Sequence, residues 1–418
     1  MKNQYFGDVR DLFKYDLIQW ILTEIPSLQR FSFIPMLTEY DPKRRDGDKR
    51  DFDSAKEDGR PGTNNEKLIG FLKKYGDKDK RDFTKIESYF KSEGIGVVIY
   101  KGHEYFDNMS RERYFKNIAE RLLHKSLVFV DPDTGLQVKN LTKKHLLYEE
   151  VKDLYCHMGE GSILMVYQHF PRARSRHKEY LPRGRSNRLR EVTGDLPICI
   201  ADNEIMFFLL TKNSELKSQL ARVISKYKGN YPKRIKLYLL LIITAGLVGT
   251  GKTTVAQALG QKLGFAVISS DVARKRLAGI APTEHRFEAP HSGIYSSDFS
   301  AKTYKKMFEE ASEILSRGES VILDATFGRK EDRLQAWELA QRLGADFIIL
   351  ECVLDEDNIK ARLEQRLATE TTSDGRWEIY ELQKQSFNAI NEFSPQQHFV
   401  LDTAQPIDKI VELIWSKL

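Results

Sequence analysis

Cysteine is scarce in this chain: three in 418 residues, Cys156, Cys199 and Cys352, with no C-x-x-C pair. That excludes a disulfide framework and a zinc ribbon and points to a reducing, cytoplasmic setting. Long apolar runs are missing too. The longest, Leu237 to Ala245, is half of the roughly 18 residues a membrane span needs, so no membrane partner is expected. The opening, MKNQYFGDVRDLFKYD, is charged and lacks the apolar stretch of a secretory signal. No repeat period appears, which excludes solenoids and propellers. What is present is core-forming material, 41% hydrophobic and 11% aromatic, over a length that predicts two or three domains.

Charge is distributed unevenly. Residues 237–418 hold 21 Lys+Arg against 26 Asp+Glu, and residues 1–236 hold 45 against 34. A basic first half predicts a polyanionic partner, RNA or DNA, for that half alone. The tract from Arg172 to Arg190 concentrates eight Lys/Arg against one Glu. Residues 41–60, with seven basic and seven acidic side chains, read as a mobile loop. A Gly-Asn-Tyr-Pro break after a helical stretch places a domain boundary near residue 232, giving domains 1–232 and 233–418.

Both halves alternate strand-like and helical segments, which predicts α/β folds with helices on both sheet faces. The first half offers strands at 31–37, 96–100, 127–131, 162–168, 197–201 and 205–211, the last two paired antiparallel across three residues. Helical patterns cover 10–24, 65–75, 82–93, 110–124 and 142–158.

In the second half, Gly246-Leu247-Val248-Gly249-Thr250-Gly251-Lys252-Thr253-Thr254 follows an apolar strand and opens an amphipathic helix. That is the context of a phosphate-binding P-loop. Gly246, Gly249, Thr250, Gly251 and Thr254 belong to the cradle for ATP, Lys252 neutralises β/γ charge, and Thr253 is the expected Mg²⁺ ligand. Strand 265–270 leads to Asp271, placed to accept a proton from an attacking hydroxyl, and Arg274 follows as a candidate for an anionic group on the acceptor. Strand 320–324 ends in Asp324, the second expected Mg²⁺ ligand. Arg362 and Arg366, four residues apart on a helix, are positioned to stabilise a transferring phosphoryl group. The long connection 278–300 contributes Arg286 and Tyr295 as acceptor-binding candidates.

The ordered strings GLVGTGKTTVAQALG, ISSDVARKRLAG, GIYSSDF, TYKKM, SVILDATF and SDGRWEIYELQKQSF resemble the AAA_33/zeta-toxin-like P-loop kinases. The resemblance covers about 180 residues. It implies a phosphotransferase acting on an alcohol group and leaves the acceptor open: sugars, nucleotide-sugars, antibiotics and polynucleotide ends all occur in the wider group.

The first half carries three constellations at predicted element ends: Phe6-Gly7-Asp8 with Asp11, Lys14 and Tyr15; VDPDTGL with Asp131 and Asp133; and VYQHFPR with His169 and Arg172. All three are expected at one crevice edge of a parallel sheet. Asp131-Pro132-Asp133 resembles the D-P-P-Y motif of adenine-N6 methyltransferases, the terminal strand pair is similar to the class I methyltransferase sheet, and FGDVRDLFKYDLI loosely resembles a family of ribosomal RNA adenine methyltransferases. That resemblance implies a Rossmann-like fold and S-adenosylmethionine. The strand FSFIPML, however, is followed by TEYDPKRRDG where a glycine-rich cofactor loop is expected. A nuclease-like nucleic-acid domain and a structural domain remain open beside it. The expected architecture is two three-layer α/β domains, the first Rossmann-like and the second a P-loop NTPase kinase. The expected function is ATP-dependent phosphoryl transfer to a hydroxyl, with a nucleic-acid-binding defence protein using a regulatory NTPase, and an RNA methyltransferase–kinase fusion, as alternatives.

Overall fold

The apolar run at 237–245 is shared between two folding units. Leu237 pairs with Ile200 in one sheet, while Leu240–Ala245 is the buried middle strand of another. The computed structural model describes residues 1–40, 49–170, 180–281, 293–367 and 377–417. These form two units, Met1–Tyr238 and Leu239–Leu418. Arg172 and Arg286 lie outside the described residues, as do parts of the 41–60 segment and of the basic tract.

In the first unit the strands are β1 (Arg30–Pro35), β2 (Val97–Ile99), β3 (Ser126–Asp131), the short pair β4 (Gly135–Leu136) and β5 (His145–Leu146), then β6 (Ile163–His169), β7 (Ile198–Ala201), β8 (Ile205–Leu210) and β9 (Lys236–Leu237). Seven of them make one mixed sheet in the order β2-β1-β3-β6-β8-β7-β9. β2, β1, β3 and β6 run parallel, and β8 runs antiparallel between β6 and β7. Asp202 closes the β7–β8 turn by accepting from the amides of Glu204 and Ile205. Side chains alternate with period two. Phe31, Phe33, Phe129 and Phe207 pack on one face, with Phe13 of the helix Val9–Glu24 against Phe207. Ile34, Val128, Val130, Leu164 and Phe208 fill the other, under the helices Tyr148–His157 and Pro182–Thr193.

Three expectations are corrected here. The pattern at 110–124 yields only the helix Arg111–Lys116 and a separate 3₁₀ turn at Glu120–Leu122. The pattern at 142–158 starts with β5 and becomes helical at Tyr148. Within the supposed mobile loop, Phe52–Glu57 is a helix that buries Phe52, and Arg50 is tied to the carbonyls of Phe6, Gly7 and Tyr75. Charge balance hid an anchor: one phenylalanine and one arginine fix residues 50–57. Likewise the end of the basic tract is helix, with Arg185 buried and its guanidinium over the Tyr180 ring.

The second unit holds β10 (Leu240–Ala245), β11 (Ala266–Ser269), β12 (Val321–Asp324), β13 (Asp346–Val353) and β14 (His398–Asp402), all parallel in the order β11-β12-β10-β13-β14. Strand order reverses at β10, whose neighbours are β12 and β13, so the crevice beyond its C-terminal end is the place for a ligand. Leu240, Ile242, Ile322, Ile348 and Leu350 pack against Val255 and Leu259 of the helix Lys252–Leu263 and Ile410 and Ile414 of the helix Ile407–Lys417. Among the described residues no helix is long and apolar enough to cross a membrane.

Candidate functional site: a phosphate cradle, and a buried-charge pocket in the first unit

The turn from β10 into the helix Lys252–Leu263 requires its glycines. Gly246, Gly249 and Gly251 have φ of 132°, 86° and 84°, a region that L side chains avoid. A Cβ on Gly246 would stand 2.4 Å from the Cys352 carbonyl oxygen, and one on Gly249 2.8 Å from Ile359 Cγ2. The loop therefore stays tight and points backbone amides and a helix N-terminus at one space.

At its foot Thr253 Oγ1 donates to Asp324 Oδ2 at 2.7 Å, and Thr244 Oγ1 donates to Asp324 Oδ1 at 3.1 Å. Register explains the meeting, because Thr244 on β10 is paired with Asp324 on β12. Burial raises the Asp324 carboxyl above its ordinary value; Asp271 adds to that, against the Thr253 and Thr244 hydrogen bonds and the Lys252 charge. A buried carboxylate beside a hydroxyl, costly to charge alone, is a donor set that fits Mg²⁺.

Lys252 Nζ donates to the Leu247 carbonyl at 2.8 Å, folded back over the loop. Asp271 opens the helix Ser270–Leu277, two residues past Ser269, the register partner of Asp324. Its carboxylate lies 3.7 Å from Arg274 Nη1, and Arg274 also reaches Ser300 Oγ. Arg362 sits beside the cradle: its Nη1 is 3.1 Å from where a Gly251 Cβ would be, and it donates to Thr403 Oγ1 and, at 2.7 Å, to the Thr403 carbonyl. Thr403 Oγ1 in turn donates to the Thr250 carbonyl at 2.8 Å. Arg366 lies on the same helix, Glu356–Leu367, and Tyr295 ends a 3₁₀ turn. Thr244, Thr403 and Gln383, whose side chain accepts from the Val248 amide, were not legible as site residues. Only Gln383 falls inside a string that bears the family resemblance.

The first unit brings Asp8, Lys14, Asp131, Asp133 and His169 to one pocket of about 680 Å³, with Tyr5, Phe6, Arg10, Tyr167, Tyr180, Arg185 and Glu204 also in its wall. Lys14 Nζ is held at 2.9 Å by Asp11 and 3.0 Å by Asp131. Burial opposes its charge, yet those two carboxylates hold its pKa well above the ordinary value. Asp8 caps the helix Val9–Glu24 through the Arg10 amide, and burial, with Asp11 adjacent, pushes its carboxyl up to about 7. Burial and the Arg10 charge push His169 down to about 4, so its ring is neutral at pH 7 and shares a 3.1 Å hydrogen bond with the Tyr167 hydroxyl.

His169 meets Tyr167 in this pocket, and among the described residues no group of three or more His, Cys, Asp or Glu is placed to hold a metal. After β1 the Met36 amide donates to the Asp131 carbonyl and the Thr38 amide to the Met1 carbonyl, so neither of these two amides is left to cradle a cofactor.

A family model described as an AAA domain, AAA_33, matches residues 241–390. An uncharacterised protein of Mycobacterium tuberculosis is 31% identical over 126 residues, 30% of this chain and 25% of the relative, and one of Mycobacterium bovis matches equally. The chain thus spans about a quarter of the length of these curated relatives. Among solved structures, a gluconokinase from Sinorhizobium meliloti is 17% identical with a TM-score of 0.31, covering 43% of this chain and 91% of that one. The Mycobacterium tuberculosis APS kinase bound to AMPPNP and APS is 18% identical with a TM-score of 0.31, covering 43% and 97%. The second unit carries an AAA_33 P-loop domain.

Proposed function

We propose that the second unit is an ATP-dependent kinase that phosphorylates a hydroxyl group. The observation that carries this reading is the contact of Thr253 with the buried Asp324 at the foot of the cradle. ATP supplies the phosphoryl group; Thr253 and Asp324 are the residues that would hold Mg²⁺, which would offset phosphate charge when bound. The loop amides and Lys252 bind phosphate oxygens, and Lys252 must leave the Leu247 carbonyl to do so. Asp271 orients the acceptor hydroxyl and takes its proton. Arg274, beside Asp271, serves the acceptor side, with Tyr295 and Arg286 assigned there from sequence alone. Arg362 and Arg366 stabilise charge on the equatorial oxygens.

The test is incubation with γ-labelled ATP and a panel of sugars, nucleosides, 5′-OH RNA and 5′-OH DNA. Label transferred to one acceptor class, and lost in Lys252→Ala without loss of folding, is the expected result. Hydrolysis stimulated by nucleic acid with no labelled acceptor would replace the kinase by a regulatory NTPase. A folded Lys252→Ala protein with undiminished transfer would end the reading.

For the first unit we propose nucleic-acid binding, favoured by aromatic rings and arginines in one pocket wall of a unit with excess positive charge. The position of β8 between β6 and β7 supports a methyltransferase-like ancestry. The occupied amides after β1 argue against methyl transfer from S-adenosylmethionine.

A further inference from the structure

The helix Trp377–Ser386 presents one stripe inward. Tyr380 is buried, and Gln383 and Phe387 follow at helical spacing, three and seven residues on. Tyr380 joins Val248, Ile359 and Leu363 in a small apolar cluster, with Leu247 and Trp377 packed against it. Phe387 lies by Gly328, where a Cβ would come within 3.3 Å of its ring. Gln383 is the polar member of this stripe, and its Oε1 accepts from the Val248 amide at 2.8 Å.

The bond falls on a particular peptide. The Leu247–Val248 unit donates its N–H to Gln383 and offers its carbonyl to Lys252 Nζ and to Thr250 Oγ1, each at 2.8 Å. One peptide plane is therefore held by the nucleotide-binding lysine on one side and by the helix Trp377–Ser386 on the other. When Lys252 turns to a phosphate, the carbonyl keeps Thr250 but loses a charged donor, and the constraint on the plane changes at the Gln383 end.

We propose that Gln383 is a positioning residue that couples nucleotide occupancy of the P-loop to the helix Trp377–Ser386. The inference rests on the nucleotide-site reading above and deepens it. It gives nucleotide binding a route to the position of the helix Trp377–Ser386. Trp377 is a built-in reporter, since its indole stacks on Tyr380 at 4.8 Å beside this peptide.

The experiment uses the full chain, Mg·ADP and Mg·AMPPNP. Calorimetry gives affinity, and tryptophan emission gives the helix response, with Trp377→Phe identifying the share due to Trp377. Gln383→Met keeps side-chain length and removes the acceptor. Expected are a nucleotide-dependent emission change in the wild type, its loss in Trp377→Phe, and its loss in Gln383→Met. Affinity in Gln383→Met should fall about three- to tenfold, the usual consequence of one lost hydrogen bond, with a Tm lowered by no more than a few degrees so that the fold persists at the assay temperature. Wild-type affinity together with the wild-type emission change in Gln383→Met would overturn the coupling. So would tight binding to the wild-type chain with Trp377 silent. Absence of nucleotide binding by calorimetry in the wild type would overturn the nucleotide site itself, and the coupling with it.

Discussion

The two units handle charge in opposite ways. In the second, Lys252 stands at the mouth of a loop and rests on a backbone carbonyl that it can give up. In the first, Lys14 is buried between Asp11 and Asp131 and cannot leave without stranding two carboxylates. The Lys252 arrangement leaves a cation ready for an incoming anion, whereas the Lys14 arrangement fixes the shape of a pocket wall. A lysine in a pocket is thus no evidence of ligand binding until its partners are known. Lys252 is replaceable at little structural cost and Lys14 is not.

The largest effect expected on the reactive side is at Asp271. If it orients the acceptor hydroxyl, Asp271→Asn lowers turnover by about 10²–10⁴-fold with nearly unchanged ATP affinity. Steady-state kinetics beside calorimetry decides it. Weakened Mg·ATP binding with normal turnover would move Asp271 into the metal site and bring the two units' acids closer in kind. On the structural side, Lys14→Met should cost about 3–5 kcal/mol, the penalty for breaking a buried ion pair. Urea unfolding measures it. A neutral substitution would mean that water or a ligand already compensates Asp11 and Asp131, and that the first pocket is reactive after all.

This contrast also explains what the sequence made legible. The P-loop is contiguous, and its geometry is demanded by three glycines within six residues, so the string alone reveals it. Strand ends are nearly as readable, because β3 and β12 are apolar runs that stop at an aspartate. Thr403 is invisible, since its bonds to Thr250 and Arg362 span 153 and 41 residues and depend on how β14 joins the sheet. The clustering of Asp8, Asp131 and His169 follows from parallel strands sharing one edge, but His169 turning to Tyr167 is a side-chain choice that no spacing encodes. Phe52 and Arg50 were lost inside a balanced charge run, where composition averages out the two residues that anchor its described part, 50–57.

A smaller effect sharpens the picture of the buried charges. Asp8 titrates near 7 rather than at 3.8 because it is buried beside Asp11. A carboxyl raised on folding favours the folded state when protonated. Its contribution is full below about pH 4 and is lost as pH rises through about 7. Asp8→Asn keeps a capping oxygen for the Arg10 amide and removes this loss. The variant should therefore gain on the wild type by about 2 kcal/mol between pH 5 and pH 8. Unfolding at both pH values tests the sign. A gap that narrows toward pH 8 would show that Asp8 is stabilised as an anion, through Arg10, and that this wall is built like the cradle.

The smallest effect concerns the excess charge itself. The first 236 residues have 45 Lys+Arg against 34 Asp+Glu, and eight of those bases fall between Arg172 and Arg190. Each phosphate neutralised on a single strand adds about −0.7 to the slope of log K against log salt. Three or four such contacts give a slope near −2 to −3, and replacing Arg172, Arg174, Arg176 and Arg183 together by Gln should flatten it by a similar amount. Affinity should fall alike for unrelated sequences, because backbone contacts carry no sequence information. Fluorescence anisotropy with labelled single-stranded RNA and DNA at several salt concentrations reads both quantities. If the quadruple variant keeps the full slope, phosphate contact lies elsewhere, and Arg10, Lys49 and Arg185 in the pocket wall become the next residues to exchange. If the intact chain binds neither strand at low salt, the surplus charge serves solubility, and the acceptor for the second unit is to be sought among small alcohols.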